Sequence, residues 1–369
     1  MAGTCGPAAR KGPDPVWKTH GTIATAFSAT RDASIEEERV RVDRELALEM
    51  VRVTEAAAIA AARMMGRGDK IGADQAAVDA MRRALETVGI EGRVVIGEGE
   101  MDEAPMLFIG ERVGNGDGDP VDVAVDPLEG TNLVAKGLNG SIAVMAIGPA
   151  GSLLHAPDMY MDKLVTGPAG RGVIHLDAPI GDNLRALAHA SGREVSDLTV
   201  VVLDRERHQD LIAGIREAGA RIKLITDGDV TPAVAACLEG SGVDMLAGSG
   251  GAPEGVLAAA AVKCLEGEMV ARLLPEDAAQ RERAESMGVR PVDRILTLDD
   301  LIRGEDVLFV ATGITDGDFL HGVRYTKDAT RTESVVMRSL TGTVRFVEAE
   351  HRLEKKLRFG KKPGRGEDA

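Results

Sequence analysis

The chain has 369 residues, 44 Lys and Arg against 59 Asp and Glu for a formal charge of −15, 44% apolar residues, and aromatics limited to one Trp, two Tyr and six Phe. That length supports a substantial core and falls where chains often divide into two packing units. The acid excess and scarcity of rings argue against a nucleic-acid or anionic-membrane binder. Cys5, Cys237 and Cys264 are isolated, with no C-x-x-C pair, which indicates neither a disulfide framework nor a thiolate zinc site and points to a reducing, cytoplasmic compartment.

Residues 1–34 lack an apolar segment and read as a loose arm rather than a leader or anchor. Ser34 followed by Glu37 reads as a capping box, and the Ala- and Leu-rich stretch to Met65 predicts a long helix stopped at Gly66. A second helix is predicted from Asp74 to Val88, then a short buried strand Arg93–Ile96. In the next strand, Val121–Val125, alternation puts Val121, Val123 and Val125 on one face and Asp122, Ala124 and Asp126 on the other. Further on, strands at 199–203, 221–225, 243–246 and 307–310 alternate with helices at 208–218, 231–238 and 255–265, which predicts a layered α/β architecture. The basic stretch 351–369 reads as a solvated tail.

Open α/β sheets bind ligands beyond the carboxyl ends of their strands, so the chemistry is sought where strands give way to acids or glycines. The run Gly97-Glu98-Gly99-Glu100-Met101-Asp102-Glu103 reads either as a solvent-exposed turn or as carboxylates gathered around a cation. Asp126-Pro127-Leu128-Glu129-Gly130-Thr131-Asn132 reads either as an ordinary strand-ending turn with an Asp cap or as a Pro-led turn in which both carboxylates face one point, with the Thr131 hydroxyl beside them. Oxygen ligands without His or Cys suit magnesium or manganese rather than zinc. Asp74, opening a helix, reads as an N-cap or as a ligand.

The segment Gly248-Ser249-Gly250-Gly251-Ala252-Pro253-Glu254-Gly255 reads as a loop whose amides reach a phosphate or carboxylate at a helix start, and it is not a P-loop. Arg205-Glu206-Arg207 and Asp227-Gly228-Asp229 each follow a strand; guanidinium forks fit phosphate and carboxylates accept sugar hydroxyls, so together they describe a phosphorylated polyol. Surface ion pairing and a plain turn are the alternatives for these two segments.

Ile96-Gly97-Glu98-Gly99-Glu100-Met101-Asp102-Glu103-Ala104-Pro105-Met106, Asp126 to Thr131, Ala156-Pro157-Asp158-Met159-Tyr160-Met161, Asp227-Gly228-Asp229, Gly250 to Gly255 and Ala311-Thr312-Gly313-Ile314-Thr315 closely resemble, in order, the class II fructose-1,6-bisphosphatases. The resemblance covers the chain from about Arg44 to Phe346. It implies the layered sugar-phosphatase fold, related to inositol monophosphatase, in two packed lobes. Residues 35–195 would form a metal-binding lobe and 196–350 a substrate lobe. It further implies Mn2+ or Mg2+, two or more ions, on Asp74, Glu98, Asp126, Glu129 and Glu254. Substrate contacts are implied at Glu129, Gly130, Thr131, Tyr160, Arg205, Glu206, Arg207, Asp227, Gly228, Asp229 and Gly251. At Ser249 the sequence departs from the family's apolar residue, and a hydroxyl there is expected to loosen or hydrate the glycine segment.

The implied reaction is release of the 1-phosphate of fructose 1,6-bisphosphate in gluconeogenesis. Thr131 would orient the attacking water, and Glu98 or Asp102 would take its proton. Sedoheptulose 1,7-bisphosphate is the alternative substrate, and a non-catalytic metal- or phosphate-sensing protein is the alternative class. Partners are expected to be the sugar phosphate and further copies of the chain, as a homodimer or homotetramer, with neither nucleic acid nor membrane.

Overall fold

The structure, a computed structural model, describes residues 46–99 and 106–352. The arm over 1–34, the Ser34–Glu37 capping box, Asp102 and the tail beyond Arg352 lie outside them. From the first described residue, helices α1 (Leu46–Ala62) and α2 (Lys70–Leu85) lead to strands β1 (Glu91–Ile96), β2 (Arg112–Val113) and β3 (Pro120–Glu129), then α3 (Thr131–Lys136) and β4 (Ile142–Pro149). Next come β5 (Tyr160–Thr166), α4 (Ile180–Ser191), β6 (Thr199–Leu203), α5 (Gln209–Ala218), β7 (Arg221–Ile225) and α6 (Val230–Cys237). They are followed by β8 (Met245–Gly251), α7 (Ala252–Cys264), β9 (Glu268–Leu274), α8 (Ala278–Ser286), β10 (Leu296–Thr297) and α9 (Leu298–Leu301). The chain closes with β11 (Leu308–Gly313), β12 (Arg324–Tyr325), β13 (Thr330–Arg338) and β14 (Thr343–His351).

These strands form two sheets. The first has the order β12-β13-β11-β4-β3-β1-β2, with β14 also paired to β13; the second runs β10-β9-β5-β8-β6-β7. The chain therefore leaves the first sheet after β4, builds the second, and returns to the first with β11. The parallel pairs β6/β7 and β6/β8 reflect the helical crossovers α5 and α6, as connections between parallel strands require.

The cores set the layers. Val94, Val121, Val123, Val125 and Met145 from one face of the first sheet pack with Met50, Ala58, Ala77 and Met81 of α1 and α2. The other face, through Ile96, Ala124, Val144 and Ala311, joins α6, α7 and the inner residues Met161 and Val165 of the second sheet in one cluster. Leu184, Leu187, Ile212 and Ile215 of α4 and α5 cover the outer face of that second sheet. The result is five alternating layers of helix and sheet. With a sheet on each side, α7 is apolar all round, and Leu257 to Val262 are fully buried. Among the described residues, no helix is long and apolar enough to cross a membrane.

Three boundaries differ from the sequence reading in ways that matter for the site. Helix α2 begins at Lys70, capped by Asp69, whose Oδ1 accepts from Gly72 N at 2.8 Å, so Asp74 lies inside the helix and is not its cap. Strand β3 does not end in a turn at Asp126 but continues to Glu129 through a register shift against β4. The glycine segment is no loop either: Gly248–Gly251 are the last residues of β8, paired in register with β5 from Tyr160 opposite Gly251 to Lys163 opposite Gly248.

Candidate active site and metal centre

Strand β3 reaches the site through that register shift. Asp126 lies opposite Val144, and Glu129 opposite Ile142, so three steps on β3 match two on β4. On a regular strand, residues three apart point to opposite faces; the extra residue of the bulge turns Asp126 and Glu129 to the same side. Asp126 Oδ1 accepts from Leu128 N at 3.0 Å within the bulge, and Ser141 Oγ donates to Glu129 O at 2.7 Å.

Three other elements converge on the pair. Gly97 carries the chain out of β1 so close to Leu107 that a Cβ would lie 1.9 Å from the Leu107 carbonyl oxygen, and Glu98 N donates to that oxygen at 3.0 Å. Glu98 is thereby pinned over the cavity. Asp74 arrives from the second turn of α2, and Glu254 from the first turn of α7, where an acid suits the helix dipole. All five carboxylates line one cavity of about 410 Å3, together with Gly130, Thr131, Asn132, Asp158 and Asp227. Within it, oxygens of Asp126, Glu129 and Glu254 lie within 4.8 Å of one another.

The electrostatics follow from that crowding. Burial, then Asp74 and Glu254, push the Glu98 carboxyl up to about 8. Burial, then Glu98 and Glu254, hold Asp126 well above the usual carboxylate range; for Glu129 the order is burial, Asp126, Glu254 and Asp229. Burial also raises Asp74, and burial with Asp229 raises Glu254, which Lys163 partly offsets. Carboxylates that repel one another in a buried cavity are stabilised as anions by a cation among them. Glu254 Oε2 and Asp229 Oδ1 are buried without a hydrogen-bond partner. The all-oxygen donor set and the orphaned Glu254 oxygen fit a hard divalent cation rather than zinc.

Of the remaining predicted residues, Gly130, Thr131 and Asp227 line the cavity, whereas Tyr160, Arg205, Glu206, Arg207, Gly228, Asp229 and Gly251 do not. Thr131 lines the cavity and its Oγ1 donates to Leu128 O at 3.2 Å. Asp227 Oδ2 accepts from Asn132 N at 3.2 Å and Nδ2 at 2.9 Å, tying the Asp227-Gly228-Asp229 turn to the start of α3. Asp229 precedes α6, and Val230 N donates to Glu129 Oε1 at 3.1 Å. Gly228 has φ +74°, and a Cβ there would lie 3.9 Å from Glu129 Oε1. Arg207 stacks on Tyr160 with its Cζ 4.6 Å from the ring centroid. Arg205 instead donates to the carbonyls of Asp204 and Thr226, at 3.1 and 2.7 Å, and so joins the ends of β6 and β7. Glu206 is exposed.

The glycine-rich end of β8 serves the carboxylates. A Cβ on Gly250 would lie 2.0 Å from Asp229 Oδ2, and one on Gly251 1.9 Å from Glu254 Oε2. Ser249, expected to hydrate this segment, is buried, and its hydroxyl bonds Arg207. Lys163, Asn132, Asp158 and His208 are the residues here that sequence reasoning misses. A lysine inside the apolar run of β5 was the legible signal for the first; its Nζ lies 2.8 Å from Asp229 Oδ2 and donates to Gly251 O at 3.0 Å.

Residues 44–351 match the family model described as bacterial fructose-1,6-bisphosphatase, glpX-encoded. The chain is 50% identical over 334 residues to the D-fructose 1,6-bisphosphatase class 2/sedoheptulose 1,7-bisphosphatase of Synechococcus sp. (strain JA-3-3Ab), covering 84% of this chain and 96% of that protein. A protein of the same name from Synechococcus sp. (strain JA-2-3B'a(2-13)) is 50% identical over 335 residues, with the same coverage of 84% and 96%. Fructose-1,6-bisphosphatase 1 class 2 of Escherichia coli (strain K12) is 46% identical over 326 residues, covering 85% of this chain and 97% of that protein.

Proposed function

The chain belongs to the family of bacterial, glpX-encoded fructose-1,6-bisphosphatases, and on that premise we propose that its acid-lined cavity is where the 1-phosphate of fructose 1,6-bisphosphate is hydrolysed to leave fructose 6-phosphate. The observation that carries this reading is the convergence of Asp74, Glu98, Asp126, Glu129 and Glu254 from four separate stretches of chain on one cavity beside Thr131. Those five carboxylates would hold magnesium or manganese, as two or more ions. Bound there, such ions supply positive charge against the phosphate and the leaving oxygen, and they acidify water.

The side chains divide the remaining work. Because the Thr131 hydroxyl donates to Leu128 O, its lone pairs are left to accept from a water and aim it at phosphorus. Glu98, which lines the cavity beside Thr131, takes the proton of that water. Asp102, the other base suggested by the resemblance, lies outside the described residues. Tyr160 and Asp227 fix the sugar, Asp229 is buried against Lys163 and so steadies the turn that carries Asp227 instead of touching the sugar, and Arg207 holds the distal 6-phosphate, a guanidinium being matched to phosphate geometry. Arg205 acts at one remove, by bracing the strand ends that carry Arg207 and Asp227.

Sedoheptulose 1,7-bisphosphate is a second substrate on this reading, favoured by the double name of two relatives. A cytoplasmic site of action accords with Cys237 and Cys264, both free and buried. Self-association into a dimer or tetramer is supported by the family resemblance alone. The reading is tested by phosphate release from fructose 1,6-bisphosphate, sedoheptulose 1,7-bisphosphate and inositol 1-phosphate, with magnesium, manganese or chelator. Release from the bisphosphates, abolished by chelator and restored by one of the metals, is expected. Undiminished release in chelator would overturn it.

A further inference from the structure

The guanidinium of Arg207 is held before any ligand arrives. Its Nε donates to Ser249 Oγ at 2.9 Å and its Nη2 to Ser249 O at 2.8 Å, while the Tyr160 ring lies against it. Ser249 is fixed in turn by His208. The imidazole Nδ1 lies 2.8 Å from Leu203 O, which can only accept, so that nitrogen carries the proton and Nε2 is an acceptor. The single lone pair of Nε2 then receives Ser249 N–H at 2.9 Å, with Ser249 Oγ 3.0 Å away, and the Ser249 hydroxyl turns a lone pair to Arg207 Nε. His208 and Ser249 are both buried, so this chain of bonds runs from the end of β6 through β8 to a guanidinium at the surface. With Nε and one Nη2 hydrogen committed to Ser249, the Nη1 end is left to meet an anion.

We propose that Ser249 is a positioning residue for the bisphosphate: through its hydroxyl and carbonyl, with His208 behind it, it sets the direction in which Arg207 presents its free N–H groups to the distal phosphate. This rests on the reading of Arg207 as the distal-phosphate contact. Its consequence is selectivity. A pre-set guanidinium loses less rotamer freedom on binding a second phosphate, and the benefit disappears for a substrate with none.

The test is a double-mutant cycle on the metal-loaded enzyme, with kcat and KM measured for fructose 1,6-bisphosphate and for fructose 1-phosphate, which keeps the sugar and the reacting phosphate and lacks the distal one. R207A is expected to raise KM for the bisphosphate by about 20-fold or more, and S249A by about five- to tenfold with kcat within about twofold. S249A should add nothing in the R207A background, because both changes remove one arrangement. With fructose 1-phosphate, S249A should leave KM unchanged.

If R207A raises KM and S249A does not, Ser249 has no positioning role while the distal-phosphate assignment stands. If S249A adds its full effect to R207A, or raises KM equally for the monophosphate, it acts elsewhere and the proposal is wrong. If R207A itself leaves KM unchanged, the distal-phosphate assignment and the proposal fall together.

Discussion

Lys163 and Asp229 form an ion pair with Nζ and Oδ2 2.8 Å apart, at 1% and 6% side-chain exposure, beneath the carboxylates of the active site. The lysine enters from β5 and the aspartate from the turn before α6, and the same ammonium donates to Gly251 O. One buried cation thus joins the middle of β5, the turn before α6 and the end of β8. Removing one partner of such a pair leaves the other charge buried and uncompensated.

Lys163→Met keeps much of the volume and removes the charge. It is expected to lower unfolding free energy by about 3–5 kcal/mol. Denaturant titration measures this, and a loss below about 1 kcal/mol would show that water or a neighbour compensates Asp229.

Gly251 is required by the carboxylate it faces. A methyl at Gly251 would meet Glu254 Oε2 at 1.9 Å, and Glu254 sits in the first turn of a fully packed helix that cannot retreat. Gly251→Ala is therefore expected to displace that carboxylate, weaken metal binding by about tenfold or more, and leave the circular dichroism spectrum native. Metal-activation curves provide the measurement, and an unchanged half-activating concentration would remove Glu254 from the ligand set.

Glu129 touches two elements through its carboxylate and carbonyl, accepting from Val230 N and Ser141 Oγ. Glu129→Gln retains the shape and the acceptor for Val230 while removing the charge. It is expected to lower kcat by about 100-fold or more with thermal stability maintained or raised, since a repelled carboxylate is lost. Near-wild-type turnover at saturating metal would refute its assignment.

Chelated protein should lose stability as pH rises. Burial and the neighbouring acids raise the folded pKa of Glu98 from 4.5 to about 8, and those of Asp126, Glu129 and Glu254 move in the same direction. The folded state therefore holds more protons than the unfolded state, and stability declines as pH climbs from the unfolded pKa through the folded one. Melting temperature in chelator should fall between about pH 4.5 and 8, and adding magnesium or manganese should restore most at the upper end. A melting temperature that rises across that window in chelator would contradict the crowding of the carboxylates.

Much of the site was legible in the sequence because its acids cluster locally: Asp126, Glu129 and Thr131 lie within six residues, Glu98 comes one glycine after a strand, and Glu254 stands at the start of an alanine-rich helix. The alternation of helices and strands is likewise a local property, recorded in hydrophobic periodicity, and it specified the layered α/β class. Which carboxylates share a cavity is not local. Asp74 joins them only because α2 begins four residues before it and packs behind β3. The aim of Asp126 and Glu129 depends on a bulge, which is defined by pairing with β4 and has no counterpart in a single strand. The glycines of β8 read by themselves as an anion loop; across the fold, their missing side chains make room for Asp229 and Glu254. Ser249 read as a loosening substitution for the same reason, since its partners Arg207 and His208 lie some forty residues earlier and meet it only across the sheet. Sequence alone determined which chemical groups the protein possesses and the elements that carry them. Only the tertiary structure decided their mutual distances and directions, because those are set by strand pairing and by packing between layers remote along the chain.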